Sequence, residues 1–180
     1  MSVNLGLLLL RVLFGGAIAA HGAQKLFGWF NGGGLSGTGA AFEGMGFRPG
    51  KTFALIAGLG EFGGGVLLIL GLLTPLGAAG ILAGMLVAMF TAHVGRGFFA
   101  MEGGIELPFL YAAAALGIAI TGAGAISLDA AWGLAFVNRP AFVLGALALG
   151  VIGAVVSLWV RRRPPAAGEE APPAGGRRAA

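Results

Sequence analysis

Apolar residues in this chain come in long unbroken runs, not in the alternation of half-buried strands or the single stripe of a soluble helix. Leu5–Phe27, Phe53–Leu73, Leu76–Val94, Leu107–Ala125 and Ala141–Val160 each come close to or exceed the roughly 20 helical residues needed to cross a bilayer. Strands are excluded by segment length and by the missing period of two. An open sheet edge in lipid would also leave its amides unpaired. Pro108, near the start of the fourth run, reads as a first-turn initiator and not as a kink. The pattern predicts an all-α, polytopic membrane helix bundle.

Two stretches break the pattern. Gly28–Thr52 is glycine-rich yet keeps Trp29, Phe30, Phe42 and Phe47, which a solvated linker has little use for. It is expected to lie on the membrane interface or to fold back on the bundle. From Arg161 onward the chain turns to Arg, Pro, Ala, Gly and Glu, a composition that builds no core and predicts a disordered tail. Ala17-Ile18-Ala19 offers a signal-peptidase-like pattern, but no basic residue precedes the first run and Arg11 interrupts it. A retained first helix is the expectation.

Composition agrees with the runs. Of 180 residues, 57% are apolar and 10% charged, where a soluble domain carries about a quarter charged. With a mean hydropathy of +0.92, the body of the chain is neither disordered nor an ordinary cytosolic enzyme. The absence of cysteine excludes disulfides, thiolate metal sites and dithiol exchange. The net charge of +4 does not point to nucleic acid. The tail, with five arginines and two glutamates, carries +3 of it, and no basic stripe runs through the body. Arg161, Arg162 and Arg163 close the last run and predict a cytoplasmic C-terminus. Counting back through five spans puts the N-terminus outside, with Arg48, Lys51 and Arg96 inside. Gly60/Gly64, Gly80/Gly84 and Gly15/Ala19 have the spacing that lets helices approach closely.

The scarce ionisable groups inside the runs carry the chemistry. A charge in hydrocarbon costs roughly 2.5–3.5 kcal/mol even on lenient scales. At 1.5 Å per residue, Lys25 lies about 3 Å, His21 about 9 Å and Glu61 about 12 Å from the inner ends of their helices. His93 ends the third run on that side and Glu106 begins the fourth. His21 and Lys25 share a helix face, and Glu61 is expected to pair with one of them. These residues suit either a polar cavity handling a proton, a quinone headgroup or a small anion, or a structural network that sets helix register. Arg11 sits near the outer end of the first helix. It either snorkels to the interface or pairs with Asp129. Met85, Met89 and His93 form an i, i+4, i+8 stripe that fills a core or lies against a flexible apolar ligand.

Other motifs do not hold. Two histidines without a repeated ligand pattern argue against haem b, and Glu102 with Glu106 is a weak carboxylate pair with no metal motif. Those acids equally suit the start of the fourth helix. Gly58-Leu59-Gly60-Glu61-Phe62-Gly63 matches a dinucleotide fingerprint inside an apolar helix with no preceding strand, and Gly50-Lys51-Thr52 lacks the first glycine of a phosphate loop. Ser36 and Ser127 lie in no nucleophile elbow.

Arg11, His21-Gly22-Ala23-Gln24-Lys25-Leu26, Gly60-Glu61-Phe62-Gly63-Gly64, Leu70-Gly71-Leu72-Leu73-Thr74-Pro75, His93 with Phe98-Phe99, Glu106, Gly122-Ala123-Gly124 and Ser127-Leu128-Asp129 stand in an order that resembles the DoxX family of small bacterial membrane proteins. The resemblance implies a four-helix membrane core over residues 1–132, a connection and additional span over 133–160, and a cytoplasmic tail over 161–180. The family includes the large membrane subunit associated with thiosulfate:quinone oxidation, and members linked to oxidative-stress complexes. It therefore implies an inner-membrane subunit passing electrons from a reduced sulfur compound or a partner to quinone, as part of a pair with a second redox subunit or as a homo-oligomer. Glu61, His21 and Lys25 would then form the proton relay or quinone contact, with His93, Met89 and Arg11 nearby. No bound cofactor is evident, and quinone would be the substrate. A membrane scaffold or small-solute carrier is the competing reading, although five spans hold no obvious pair of equal repeats.

Overall fold

The computed structural model describes residues 3–162. Its helices follow from a simple constraint. Chain that is apolar on every side gains most in lipid when each amide bonds within its own helix. In order they are α1 (Val3–Phe27), α2 (Gly34–Gly44), α3 (Gly50–Leu70), α4 (Thr74–Ala88), α5 (Glu106–Thr121), α6 (Leu128–Ala131) and α7 (Pro140–Val160). A π-helical turn, Met89–His93, prolongs α4, and the described residues hold no strand. α1, α3, α7 and α4 with its extension are long and apolar enough to cross a membrane. α5 is shorter, but it carries the chain from the end of the bundle that holds His93 back to the end that holds Val3.

All five predicted runs are helical, with edges moved by a few residues. α3 begins at Gly50, three residues before the expected start, so Glu61 lies about 16 Å from its first turn, not 12 Å. The polar stretch between the first two runs folds back: α2 packs on α1 and α3. Trp29 and Phe30 stay exposed at the distal end, the end of Phe27 and His93, while Phe47 is buried. The expected tail from 163 onward lies outside the described residues.

α4 is the centre of the bundle, packed on α3, α5 and α7, while α1 lies against α3. Small residues make these crossings close. A Cβ on Gly15 would stand 2.7 Å from the Gly65 carbonyl, and one on Gly64 would stand 2.6 Å from that of Gly77. Gly150 of α7 would meet the Ala79 carbonyl at 2.6 Å. Ile18, Leu68, Ile81, Ala115 and Ile118 fill the core between them. The ends are tied by polar contacts: the Ala125 amide donates to Asn4 Oδ1 at 3.0 Å at the proximal end, and the Arg162 amide donates to the Gly46 carbonyl at 2.9 Å at the distal end. Lipid meets the large apolar side chains left outside, among them Leu13, Leu59, Leu144 and Ile152.

Candidate functional site

Lys25 stands in the last turn of α1 and Glu61 near the middle of α3. They meet because α1 and α3 cross with almost no side chain between them. Gly22 lies directly on the Phe62 backbone, and Leu26 fits into the space left by Gly58. Lys25 Nζ donates to Glu61 Oε1, the only ion pair among the described residues. The Glu61 side chain is 2% exposed and that of Lys25 is 29% exposed. Glu61 Oε2 is buried and has no hydrogen-bond partner. An unmet buried acceptor costs about 1–3 kcal/mol, more when charged, so this atom is a place where a ligand gains by arriving.

The pair borders a cavity of about 370 Å³, within the size range of small-molecule sites. Its floor is the small-residue face of α4, Gly80, Ala83, Gly84 and Ala88. One wall is α3, through Ile56, Ala57 and Gly60, and the facing wall is α7, through Gly153, Ala154 and Ser157. Phe42, Met45 and Phe47, from α2 and the turn after it, close the distal end. Two hydroxyls reach the lining, but both donate back to their own helices, Thr91 to the Val87 carbonyl at 2.7 Å and Ser157 to the Gly153 carbonyl at 2.8 Å. An apolar chamber with one paired carboxylate is what remains.

Of the candidate residues, only Lys25 and Glu61 line this chamber. His21 is exposed on α1, its ring edge-on to Tyr111 of α5 at 6.1 Å. His93 Nδ1 is 2.7 Å from the Gly103 carbonyl and anchors the loop between α4 and α5. Glu106 holds the same loop by accepting from the Ala100 amide at 2.8 Å. Met85 is core and Met89 is partly buried in the π-helical turn, so the predicted methionine stripe does not face the cavity. The wide turn that ends α4 rotates its last residues relative to a regular helix. The expected convergence of the first four runs is thus a convergence of α1, α3, α4 and α7, which keeps Lys25 and Glu61 and leaves out His21, His93 and Glu106. Sequence reasoning missed the α7 wall, for which Gly150, Gly153, Ala154 and Ser157 at i, i+3, i+4 and i+7 are a legible small-residue stripe.

Arg11 belongs to a second polar cluster at the proximal end. It is 0% exposed, so it does not snorkel. Its guanidinium donates to the Leu68 carbonyl at 3.4 Å and to the Ile126 carbonyl. Gly71, left-handed at φ 61°, caps α3, and a Cβ there would collide with the guanidinium. Asp129 is near enough to interact with Arg11 electrostatically, yet its hydrogen bonds go elsewhere. Its oxygens accept from the Leu73 amide at 2.8 Å, the Thr74 amide at 3.3 Å and the Thr74 hydroxyl at 3.0 Å, which caps the start of α4. No group of three or more His, Asp or Glu able to hold a metal ion occurs among the described residues.

The family model that matches this chain is DoxX, over residues 6–94. That stretch contains four helices, α1 to α4, one of them the short α2. α5, Asp129 and the additional membrane-spanning helix α7 lie beyond it. A protein of Haemophilus influenzae, described only as an uncharacterized protein, is 42% identical over 83 residues, which are 44% of this chain and 62% of that protein. The matched part of the chain spans about three fifths of the length of this curated relative. No solved structure matches the chain.

Proposed function

Taking residues 6–94 as a DoxX domain, we propose that this multi-pass membrane protein is a subunit of a membrane oxidoreductase that delivers electrons to quinone, with the Lys25–Glu61 cavity as the quinone site. The observation that carries the reading is Glu61 Oε2, buried and unpartnered on the wall of an otherwise apolar chamber. A quinone ring has apolar faces and polar oxygens at its edge, so it matches a chamber with polar groups on one wall only. Reduction takes up two electrons and two protons. Glu61 hands protons to the ring oxygens one at a time across a contact of about 2.6–3.2 Å, and Lys25, reaching the exposed side, reloads it and steadies the negative charge that develops. The electrons come from a reduced sulfur compound or a partner protein, so a second redox subunit or a further copy belongs to the working assembly.

The chain lies in the bacterial inner membrane in this reading, with the N-terminus outside and the C-terminus inside. Residues 1–132 act as the core, and 133–160 add the outer connection and α7. Quinone reduction by purified protein in lipid, with thiosulfate and other sulfur donors, tests the proposal. Glu61→Gln should abolish turnover at unchanged folding. Equal rates for this variant and the wild type would remove the relay and favour a scaffold or carrier.

A further inference from the structure

The cavity has a side door. α3 and α7 both pack on α4 but make no substantial contact with each other, so a gap runs between them over the small-residue floor of α4. Two lining residues on opposite sides of this gap face outward: Ile56 of α3, 58% exposed, and Gly153 of α7. Both belong to stretches of helix whose exposed neighbours, Leu55, Leu59, Ile152 and Val156, are lipid-facing. The distal end, by contrast, is shut. Phe47 lies under the Arg161 guanidinium at 5.9 Å, Arg161 Nε donates to the Met45 carbonyl at 2.6 Å, and the Arg162 amide donates to the Gly46 carbonyl. The end of α7 thereby latches the turn that closes the chamber against the aqueous side.

We infer that the α3–α7 gap is a tail channel through which a quinone with a long apolar chain enters directly from the bilayer and its quinol leaves, the product's ring hydroxyl donating to Glu61 Oε2 while the tail stays in the gap. This rests on the quinone reading above and adds its route and its chemical class. The quinol is the form to probe because Glu61, once it has given up its proton, offers a free acceptor, which a hydroxyl satisfies and a carbonyl does not. α7, which lies outside the DoxX-matched stretch, becomes a determinant of tail length and not an appendage. Tail burial brings no hydrophobic gain over lipid, so selection here is steric.

The test uses full-length protein in phospholipid nanodiscs, with retention of two radiolabelled probes corrected for empty discs. The probes are a decyl-tailed benzoquinol and the same ring carrying a methyl group in place of the tail. At Gly153 an added Cβ meets nothing within 4 Å, so a side chain there starts in open space, and Gly153→Trp is expected to obstruct the gap, its folding checked by retention of the methyl probe. The ratio of decyl to methyl affinity should fall about tenfold in Gly153→Trp. Leu144→Trp, on the lipid face of α7 away from the cavity, should leave the ratio unchanged. Glu61→Gln should weaken both probes together. A ratio unaltered by Gly153→Trp, with both probes still lost in Glu61→Gln, overturns the tail channel and leaves the quinone site standing. Wild type that retains neither probe, or Glu61→Gln that retains both fully, overturns both readings. Intact binding with a shift from dimer to monomer in Gly153→Trp would make the gap a seat for a second copy, and the channel would be wrong.

Discussion

Two polar clusters, each built on one basic residue of α1, sit toward opposite ends of the bundle and differ in what they leave over. At the proximal end Arg11 spends its terminal nitrogens on main-chain carbonyls, and Asp129 spends both oxygens on the start of α4. Only Arg11 Nε is without a partner. A cavity of about 230 Å³ touches Asp129, but the carboxylate there is already satisfied. At the distal end Lys25 and Glu61 satisfy each other on one oxygen only, and the other adjoins the larger chamber. Burial of charge is therefore no mark of function by itself. The distinguishing feature is an unspent acceptor next to empty volume. The first cluster joins α1, α3 and the loop before α6 into one body, and the second leaves bonding capacity for a ligand.

This contrast can be broken by substitution. Arg11→Ala has the largest expected effect: it strips two carbonyls and leaves Asp129 without a nearby cation, so unfolding in mixed micelles should show a loss of about 3–5 kcal/mol. Asp129→Asn keeps the shape but weakens three hydrogen bonds, and should cost about 1–3 kcal/mol in the same assay. Glu61→Gln should stay within about 1 kcal/mol of wild-type stability, because Lys25 can turn to water, while benzoquinol retention falls about tenfold. The smallest effect belongs to Gly84→Ala. Its Cβ would lie 3.6 Å from Glu61 Oε1, an ordinary contact, and alanine favours helix by about 1 kcal/mol, so stability should hold or rise while quinol binding drops about twofold to threefold. If Glu61→Gln unfolded the protein as readily as Arg11→Ala, the two clusters would be the same kind of object and the contrast would collapse.

How much of this was legible beforehand differs between backbone and site. The long apolar helices were readable because lipid imposes one rule on every residue of a run, and their edges moved by up to four residues, as where Gly50 starts α3 three residues early and Thr121 ends α5 four residues before Ala125. The aromatics of Gly28–Thr52 left two placements open, on the membrane interface or folded back on the bundle, and the structure divides them: Phe42 and Phe47 close the chamber while Trp29 and Phe30 remain outside. Lys25 and Glu61 were legible as costly groups needing company. His21 and His93 were equally conspicuous, yet one rests against Tyr111 and the other holds a loop.

What the amino-acid order determined by itself was the environment, the rough limits of the five long apolar helices but not the short α2 and α6, and the presence of charges that could not remain unpaired in hydrocarbon. Those are local or compositional properties, summed over a run whatever its neighbours. Which face of α4 looks onto α7, that Arg161 reaches back to Met45, and that Glu61 Oε2 borders a void were decided only in three dimensions. A cavity is the volume that packed helices fail to fill, so it depends on crossing geometry between distant segments and leaves no mark in any one of them.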